Sequence, residues 1–414
     1  MRYTYRHTLN ASYLGYITQA IVNNLSPLLF VIFKTEFGLS IEQIGLLISI
    51  NFAIQIVTDL VSTRFIDRVG FRVPAVVAHV LAAIGLVLLG VLPGLMPPYL
   101  GLLVATLFTA VGGGLTEVLI SPIVEALPGD EKASAMSFLH SFYSWGQVSV
   151  VLVTTAFFAL FGSGSWRILP IVWALVPAFN TYLFAKVPLC ALVADGEREP
   201  IGRLFKTSAF WLLLILMVCS GAAEQAMAQW SSLFAEMGLG VSKSTGDLLG
   251  PCLFAVLMGV ARTFYGVKGS KIRLKPALVA CAALAITSYA LAVLSGSPIL
   301  SLVGCAMTGL AVGLLWPGVF SLSSKRFPAG GATMFAILAL AGDLGCSIGP
   351  GLVGLVSSVA SSGAIPLATK LFGAQDMLRT GLHMGLMSAM LFPILLLIGL
   401  LFLKTDPSRL SVNK

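Results

Sequence analysis

Twelve long apolar runs limit the fold of this chain more than any other feature of its sequence. Each run is about 20 residues or longer, the length that a helix needs to cross the apolar core of a bilayer. The runs are continuous and lack the alternation over about ten residues that marks barrel strands, so they predict helices. The predicted spans are residues 10–33, 42–66, 74–95, 98–127, 133–162, 166–190, 208–235, 244–268, 274–295, 298–324, 330–360 and 377–403.

The composition agrees with a chain that lies mostly in lipid. Only 10% of its residues are charged and 57% are hydrophobic, whereas a soluble domain carries about 25% charged residues. So few charges could not cover the surface of a water-soluble protein of 414 residues. A cytosolic enzyme, a secreted disulfide scaffold and a disordered chain are excluded, and the sequence predicts an all-α polytopic membrane protein.

The basic residues predict how the helices are oriented. Of the 25 lysines and arginines, 19 lie in connections on the side of the N-terminus and five lie on the other side. By the positive-inside rule both termini then face the cytoplasm, as expected of a multi-pass protein of the inner cell membrane. The net charge of +8 is interpreted as this orientation signal, and no nucleic-acid partner is predicted.

A polar stretch from Ala194 to Thr207 separates six spans from six. We therefore predict an N-terminal six-helix bundle over residues 1–190, a cytoplasmic linker over 191–207 and a C-terminal six-helix bundle over 208–414. A charged segment after the second span has a weak echo after the eighth, at the equivalent place in the other half. Two six-helix repeats with a site between them are typical of secondary transporters.

Short motifs in both halves resemble those of a known family. The turn Asp67-Arg68-x-Gly70-x-Arg72 resembles the signature between helices 2 and 3 of the major facilitator superfamily, with Thr63 where a glycine usually leads. It would act as a conformational loop that pins two helices. Four more stretches resemble the fucose/glucose/galactose:proton symporter branch of that superfamily. They are Asn23-Asn24-Leu25-Ser26-Pro27, Gly114-Leu-Thr-Glu117-Val-Leu-Ile-Ser121-Pro122, His140-Ser-Phe142-Tyr-Ser144-Trp-Gly146 and Trp316-Pro317-Gly-Val-Phe320-Ser-Leu322.

The resemblance implies the major facilitator fold, in which twelve transmembrane helices form two pseudo-symmetric six-helix bundles and give alternating access. It also implies proton-coupled uptake of a neutral monosaccharide or a related small polar solute. Glu117 stands at the position of the branch's proton-handling glutamate, and His140 replaces its sugar-contacting glutamine. Pro27 stands where the branch has an acid, which favours a substrate other than fucose.

Acidic residues within the spans are candidates for ion coupling. A charged side chain at the centre of a span costs about 2.5–3.5 kcal/mol on the translocon scale, so such residues tend to line a cavity. Glu117, Glu224 and Asp343 are predicted as proton-coupling residues. A salt bridge from Glu117 to a loop arginine and an interhelical polar contact of Glu224 are the structural alternatives. No lysine or arginine is evident inside the membrane apart from Arg262, which is expected at a helix end.

Polar residues at spacings of three and four share single helical faces in several spans. Amide side chains satisfy hydroxyl groups both as donors and as acceptors, and aromatic rings cover the apolar face of a sugar. The combination therefore suits a neutral polyhydroxylated ligand, with aromatic packing in the core as the alternative for each tryptophan. The predicted substrate-binding residues are Gln19, Asn23, Asn24, His140, Tyr143, Gln147, Gln225, Gln229, Trp230 and Trp316.

Motifs for other functions are missing from the sequence. It contains no phosphate-binding G-x-x-x-x-G-K-[ST] loop, no H-E-x-x-H or Cys/His spacing for a metal, and no G-x-S-x-G nucleophile motif. We therefore predict a monomeric transporter and not an enzyme, without cofactor or metal, whose partners are a small-molecule substrate and the lipid bilayer. The expected coupling ion is a proton, with sodium left open. A proton-driven efflux antiporter for drugs or metabolites is the alternative function.

Overall fold

All twelve predicted spans are helical in the structure. The computed structural model describes residues 3–127, 132–190, 201–268, 272–327 and 331–403, and within these ranges it contains no strand. Twelve helices there are long and apolar enough to cross a membrane. We label them α1 (Tyr5–Phe37), α2 (Ile41–Val69), α3 (Arg72–Val91), α4 (Pro98–Glu125), α5 (Lys132–Phe161), α6 (Ile168–Lys186), α7 (Ser208–Leu233), α8 (Lys243–Lys268), α9 (Leu274–Leu294), α10 (Pro298–Arg326), α11 (Gly331–Ser361) and α12 (Met377–Phe402).

Several spans are interrupted, and α1 shows most clearly why. It consists of an α-helix Tyr5–Asn24, a 3₁₀ turn Ser26–Leu29 and an α-helix Phe30–Phe37, with Pro27 in the 3₁₀ turn. Because proline has no N–H, the carbonyl of Asn23, four residues earlier, has no donor within the helix. The other interrupted spans are α6 (Ile168–Trp173 and Leu175–Lys186), α8 (Lys243–Asp247, Leu248–Cys252 and Leu253–Lys268), α10 (Pro298–Val312 and Leu315–Arg326) and α12 (Met377–Ala389 and Leu391–Phe402), and α7 continues as the π-helical turn Phe234–Gly238.

The helices form two bundles of six. In the first, α1 packs against α4, α5 and α6, and α3 packs against α4 and α6. In the second, α7 packs against α11 and α12, and α9 packs against α10 and α12. Short helices Ser163–Ser165, Ile201–Leu204 and Pro366–Phe372 lie in connections. Residues 191–200 of the predicted linker lie outside the described ranges, so the domain boundaries at 190 and 208 stay predictions.

The two bundles meet along α2 with α11 and along α5 with α8. Small residues allow α2 and α11 to approach closely: a Cβ on Gly45 would lie 3.0 Å from the Cα of Gly354. Nearby, Ser49 Oγ donates to the Ser347 carbonyl at 3.1 Å, and Ser347 Oγ donates to the Ser49 carbonyl at 3.0 Å. Since α2 begins and α11 ends on the side of the membrane away from the termini, these contacts close that side.

Lys243 joins the bundles on the same side. Its Nζ donates to the Leu28 carbonyl, in the 3₁₀ turn of α1, at 2.7 Å. The same ammonium lies 3.0 Å from Asp247 Oδ2 and 5.7 Å from the centre of the Phe158 ring of α5. One cation at the start of α8 therefore contacts both α1 and α5 of the other bundle.

The charged turn between α2 and α3 ties α3 to α6. Gly70 has a φ of +75°, a left-handed conformation that glycine adopts without strain. The Arg72 guanidinium donates to carbonyls at the end of α6, where the last carbonyls of a helix lack intrahelical donors and a positive charge is favourable. The side chains of Asp67 and Arg68 lie outside the described part of the structure. The carbonyls that Arg72 contacts belong to Phe184, Ala185 and Val187, at 3.0, 2.9 and 2.9 Å.

Candidate functional site

A cavity of about 490 Å³ lies between the two bundles. It reaches Tyr265 and Ser321, near the ends of α8 and α10 on the side of the termini. Because the opposite side is closed by the contacts of Ser49 and Lys243, the structure holds a central site that is accessible from the side of the termini. The predicted residues that line it are Gln19, Asn23, Glu117, His140, Tyr143, Glu224, Gln225, Trp316 and Asp343.

A chain of hydrogen-bonded side chains runs through the wall made by α1, α2 and α4. Gln19 Nε2 donates to Glu117 Oε2 at 3.1 Å and to Gln55 Oε1 at 2.9 Å. Gln55 Nε2 then donates to Asn23 Oδ1 at 2.9 Å. The acid of α4 is thereby linked to Asn23 through two amides.

Glycines of α4 bring these side chains together. A Cβ on Gly113 would lie 3.1 Å from Gln19 Oε1, and a Cβ on Gly114 would lie 2.9 Å from the Gln55 carbonyl and 3.0 Å from Asp59 Oδ1. The glycine run next to Glu117 thus serves close packing of α1 and α2 on α4, as small residues do at other membrane helix contacts. No cation among the described residues pairs with Glu117, so the alternative of a salt bridge to a loop arginine is not found there.

The wall made by α7 and α8 carries an ion pair. Arg262 Nη2 lies 2.9 Å from Glu224 Oε1 and 2.8 Å from Glu224 Oε2, and both side chains are largely buried. Nη1 of the same arginine lies 3.4 Å from Ser144 Oγ of α5. Arg262 lies near the end of α8, as expected, and its side chain also lines the cavity. Glu224 therefore has the counter-charge that Glu117 lacks.

A second amide chain links α7 to α1. Gln229 Nε2 donates to the main-chain carbonyl of Asn23 at 3.0 Å, and it also donates to Gln225 Oε1 at 3.1 Å. The acceptor is the carbonyl that Pro27 leaves without a helical donor. Gln225 lines the cavity, and Gln229 lies behind it.

Asp343 is the acid of the α11 wall. It is 6% exposed and lies one turn from Cys346, which also lines the cavity. Trp316 packs on the neighbouring Gly342, where a Cβ would overlap the indole ring. No hydrogen bond or ion pair joins Asp343 to another described residue, so it resembles Glu117 and differs from Glu224 in having no cation beside it.

Aromatic side chains complete the cavity wall. The rings of Tyr16 and His140 meet edge to face, with centres 5.3 Å apart, and the Tyr16 hydroxyl lies 3.0 Å from Ser121 Oγ. The Tyr143 hydroxyl accepts a hydrogen bond from Asn24 Nδ2 at 3.3 Å. The wall thus offers ring faces beside amides and acids.

Four predicted substrate-binding residues do not line the cavity. Asn24 and Gln229 stand behind Tyr143 and Gln225, and Gln147 is buried away from the wall. Trp230 is completely buried, and its Nε1 donates to the Pro350 carbonyl at 3.0 Å. Its ring fills the space beside two glycines of the α2–α11 contact, so its predicted place in the binding site is corrected to core packing.

Sequence reasoning missed Gln55, Tyr265 and the place of Arg262 in the cavity wall. A signal for Gln55 was available, because Asn51, Gln55 and Asp59 repeat at a spacing of four and so share one face of α2. Tyr265 had no comparable signal. Its hydroxyl donates to Ser321 Oγ of α10 at 2.8 Å, and only the packing of α8 on α10 brings these groups together.

Comparison with known proteins identifies the family and the fold. Residues 12–350 match the family model of the Major Facilitator Superfamily. A bacterial homologue of the human lysosomal transporter Spinster, in an inward-facing and occupied conformation, is similar with a TM-score of 0.72 and 16% identity, covering 95% of each chain. The E. coli fucose:proton symporter FucP, solved as a point variant, is similar with a TM-score of 0.64 and 15% identity, and the match covers 95% of this chain and 98% of that one.

The nucleoside transporter NupG, also as a variant, gives a TM-score of 0.72 and 13% identity, covering 95% of this chain and 98% of that chain. At such identities the likeness shows the fold alone. No curated protein sequence matches the chain. The family match spans most of the chain and agrees with the two bundles and the central cavity, so this multi-pass membrane protein belongs to the Major Facilitator Superfamily.

Proposed function

We propose that the chain takes up a neutral monosaccharide, or a related small polar solute, by proton-coupled alternating access. It would act in the inner cell membrane as a monomer with both termini in the cytoplasm, as the distribution of basic residues suggests. The observation that carries the proposal is a cavity in which Gln225 and Asn23 present amides beside the acid Glu117.

The ligand class follows from what the wall can bind. Asn23 and Gln225 supply amides, and Tyr16, Tyr143 and Trp316 supply hydroxyls and ring faces. The hydroxyl groups of a sugar find hydrogen-bond donors and acceptors in these amides and hydroxyls. The C–H face of the sugar packs on the aromatic rings. The fold is also that of the fucose:proton symporter FucP, while the choice of a sugar rests on the residues of the cavity wall.

Glu117 is proposed as the residue that carries the coupling proton. It faces the cavity, hydrogen-bonds Gln19 and has no cation partner among the described side chains. A carboxyl group removed from water without a counter-charge favours its neutral form, so it can bind a proton that a surface glutamate would release. Glu224, which is paired with Arg262, is less suited to that role in this conformation, and Asp343 is the next candidate. The proposal needs no cofactor. The transport assay decides whether the coupling ion is a proton or a sodium ion.

Counterflow and uptake in proteoliposomes test this function. We expect labelled hexoses or deoxyhexoses to exchange, and to accumulate when a proton gradient is imposed. Accumulation driven by sodium and not by protons would reassign the coupling ion. Absence of exchange across the whole sugar panel would remove the substrate class.

A proton-driven exporter of cationic aromatic compounds is the second candidate. It is favoured by the charges of the cavity wall, where three acids, Glu117, Glu224 and Asp343, face one cation, Arg262. An amine on an aromatic scaffold would match this excess of negative charge. Proton-driven export of such amines, measured in cells that express the chain, together with no sugar exchange, would favour this candidate over the first.

A further inference from the structure

Gln55 is a buried glutamine that the proposed transport function does not yet use. It is 2% exposed and lies in α2, behind the cavity wall. Both ends of its amide are engaged: Oε1 accepts from Gln19 at 2.9 Å, and Nε2 donates to Asn23 Oδ1 at 2.9 Å. Among the described residues it is therefore the side chain that connects Gln19, next to Glu117, with Asn23 on the cavity wall.

The ionised Glu117 carboxyl group determines which end of each amide in this chain acts as the donor. A carboxylate only accepts hydrogen bonds, so Gln19 must turn its NH₂ group towards Glu117. The same nitrogen donates to Gln55, whose oxygen must therefore face Gln19 and whose nitrogen must face Asn23. The oxygen of Asn23 is then occupied, and the donor end of this amide is what remains for a ligand.

Protonation of the acid allows the whole order to reverse. A protonated carboxyl can donate through its O–H while its other oxygen still accepts, and it donates to Gln19 when Gln19 presents its oxygen. Gln19 Oε1 is buried and has no hydrogen-bond partner, so a half turn of this amide breaks no bond at that oxygen. Gln55 then donates to Gln19 and accepts from Asn23.

The reversal preserves the hydrogen bonds of the chain. Before it, Gln19 donates twice and Gln55 once; after it, Glu117, Gln55 and Asn23 donate once each, which is three bonds in both cases. The bond that is lost is the long contact of 3.4 Å from Asn51 Nδ2 to Asn23 Oδ1. Asn23 then turns its oxygen to the cavity in place of its NH₂ group.

We propose that Gln55 is a positioning residue that transmits the protonation of Glu117 to Asn23, so that the substrate meets a hydrogen-bond donor there when Glu117 is ionised and an acceptor when it is protonated. The inference rests on the proposed role of Glu117 as the proton carrier. It gives proton binding a direct effect on the chemistry of the substrate site.

The reversal would occur at a pH set by the groups around Glu117. Among the described residues only Gln19 hydrogen-bonds the carboxyl group, so it is the entry to the relay. Other titratable or charged groups lie near Glu117 or face the same cavity. These groups are Tyr16 of α1, Asp59 of α2, His140 of α5, Glu224 of α7, Arg262 of α8 and Asp343 of α11.

Infrared difference spectroscopy on the full chain, with no ligand present, tests the relay. Spectra taken above and below the transition should show the C=O band of the protonated carboxyl together with side-chain amide bands, which ¹⁵N labelling of the side-chain amides of glutamine and asparagine identifies. In Gln55→Met the carboxyl band should remain and the amide bands should shrink. Gln55→Leu serves as a second variant should the first fold poorly.

Gln229→Leu is the matched control, because it removes a buried glutamine from the amide chain that ends on a main-chain carbonyl. Its difference spectrum should keep the amide bands of the unmodified protein. Amide bands that are absent from the unmodified protein, or unchanged in both Gln55 variants, would overturn the relay. A carboxyl band that persists in Glu117→Gln would instead remove Glu117 as proton carrier, so the two failures are distinguishable.

A binding measurement tests whether the group that Asn23 presents to the substrate changes when Glu117 is protonated. The probes are the labelled hexoses of the transport panel and their mono-O-methyl ethers, whose ether oxygen only accepts. Since one hydrogen bond contributes about 0.5–1.5 kcal/mol, the affinity of the ether that faces Asn23, relative to its parent hexose, should fall about twofold to tenfold as Glu117 becomes protonated. In Gln55→Met the ratio should not depend on pH; a ratio that still changes as in the unmodified protein would contradict the relay.

Discussion

Two amides face the cavity from opposite bundles, and they are anchored in different ways. Asn23 is held through two glutamines, and the far end of that chain is the Glu117 carboxyl group. Gln225 is held by Gln229, and the far end of that chain is a main-chain carbonyl. A carboxyl group gains an O–H donor when it binds a proton, whereas a main-chain carbonyl only accepts. Under the proposed relay, the group that Asn23 presents responds to protons, while Gln225 presents a constant donor.

The acids of the two bundles differ in the same sense. Glu117 has no cation beside it among the described residues, whereas Glu224 is paired with Arg262 at 2.8 Å. A counter-charge lowers the electrostatic cost of burying a carboxylate, and an unpaired buried carboxylate lacks this compensation. The acid beside the first amide chain is therefore unpaired and the acid beside the second is held in an ion pair, although the second bundle also contributes Asp343, which has no cation beside it.

The largest effect is expected from Glu117→Gln, which removes the titratable end of the first amide chain. Glutamine retains the size and hydrogen bonding of a protonated glutamate, so sugar binding and exchange should remain. Accumulation against a concentration gradient should be lost, because no proton is carried. Uptake and counterflow measured in the same proteoliposomes separate the two activities. A variant that accumulates substrate as the unmodified protein does would move the coupling to Asp343.

The next largest effect is expected from Arg262→Met, which leaves Glu224 without its partner. Removing one member of a buried ion pair typically destabilises a protein by about 3–5 kcal/mol. Thermal unfolding in detergent should therefore shift clearly downwards. The double variant with Glu224→Gln should recover much of the loss, because no unpaired charge remains. If the single variant unfolds like the unmodified protein, the pair is not the fixed element that distinguishes the second bundle.

The sequence was sufficient to predict the helices, and it predicted part of the site. Length and hydropathy locate the spans because a bilayer requires a long apolar helix whatever its neighbours are. Glu117, Gln225 and Asn23 were found because polar groups within a span are costly and share helical faces. All three line the cavity.

The pairing of these groups could not be predicted from the sequence. Arg262 contacts Glu224 because α8 packs beside α7. Trp230 lies outside the cavity because its ring fits beside Gly354, which has no side chain. The orientation of the amides depends on contacts among α1, α2 and α4 in the first chain and between α1 and α7 in the second. Spacing along one helix gives the face on which a residue lies, but it does not give the partner that the residue meets.

A smaller effect is expected from Gly114→Ala, which disturbs only the first amide chain. The added Cβ would lie 2.9 Å from the Gln55 carbonyl and 3.0 Å from Asp59 Oδ1, so α2 must shift away from α4. Such overpacking costs about 1–3 kcal/mol, and it should also weaken the pH dependence of sugar binding. Gly164→Ala is the control, since its Cβ would meet nothing within 4 Å. Equal stability and pH dependence in both variants would show that the α2–α4 contact is not tight.

The smallest effect is expected from Pro27→Ala, which acts on the anchor of the second chain. Alanine restores an N–H that can donate to the Asn23 carbonyl within the helix, in competition with Gln229. Because a carbonyl oxygen has two lone pairs, the bond from Gln229 is weakened and not abolished. At the lower limit of about 0.5 kcal/mol for one hydrogen bond, sugar affinity should fall about twofold at every pH.

Two comparisons make this small effect interpretable. Pro393→Ala also restores an N–H in a spanning helix, but α12 contributes no residue to the cavity wall, so affinity should not change. In a Gln229→Leu background, Pro27→Ala should have no further effect on affinity, because the donor that competes for the Asn23 carbonyl is already gone. A loss that persists in that background would mean that Pro27 acts through the shape of α1 and not through the freed carbonyl. A loss that varies with pH would mean that the second chain also reaches a titratable group, and the two bundles would then not differ in the way their anchors suggest.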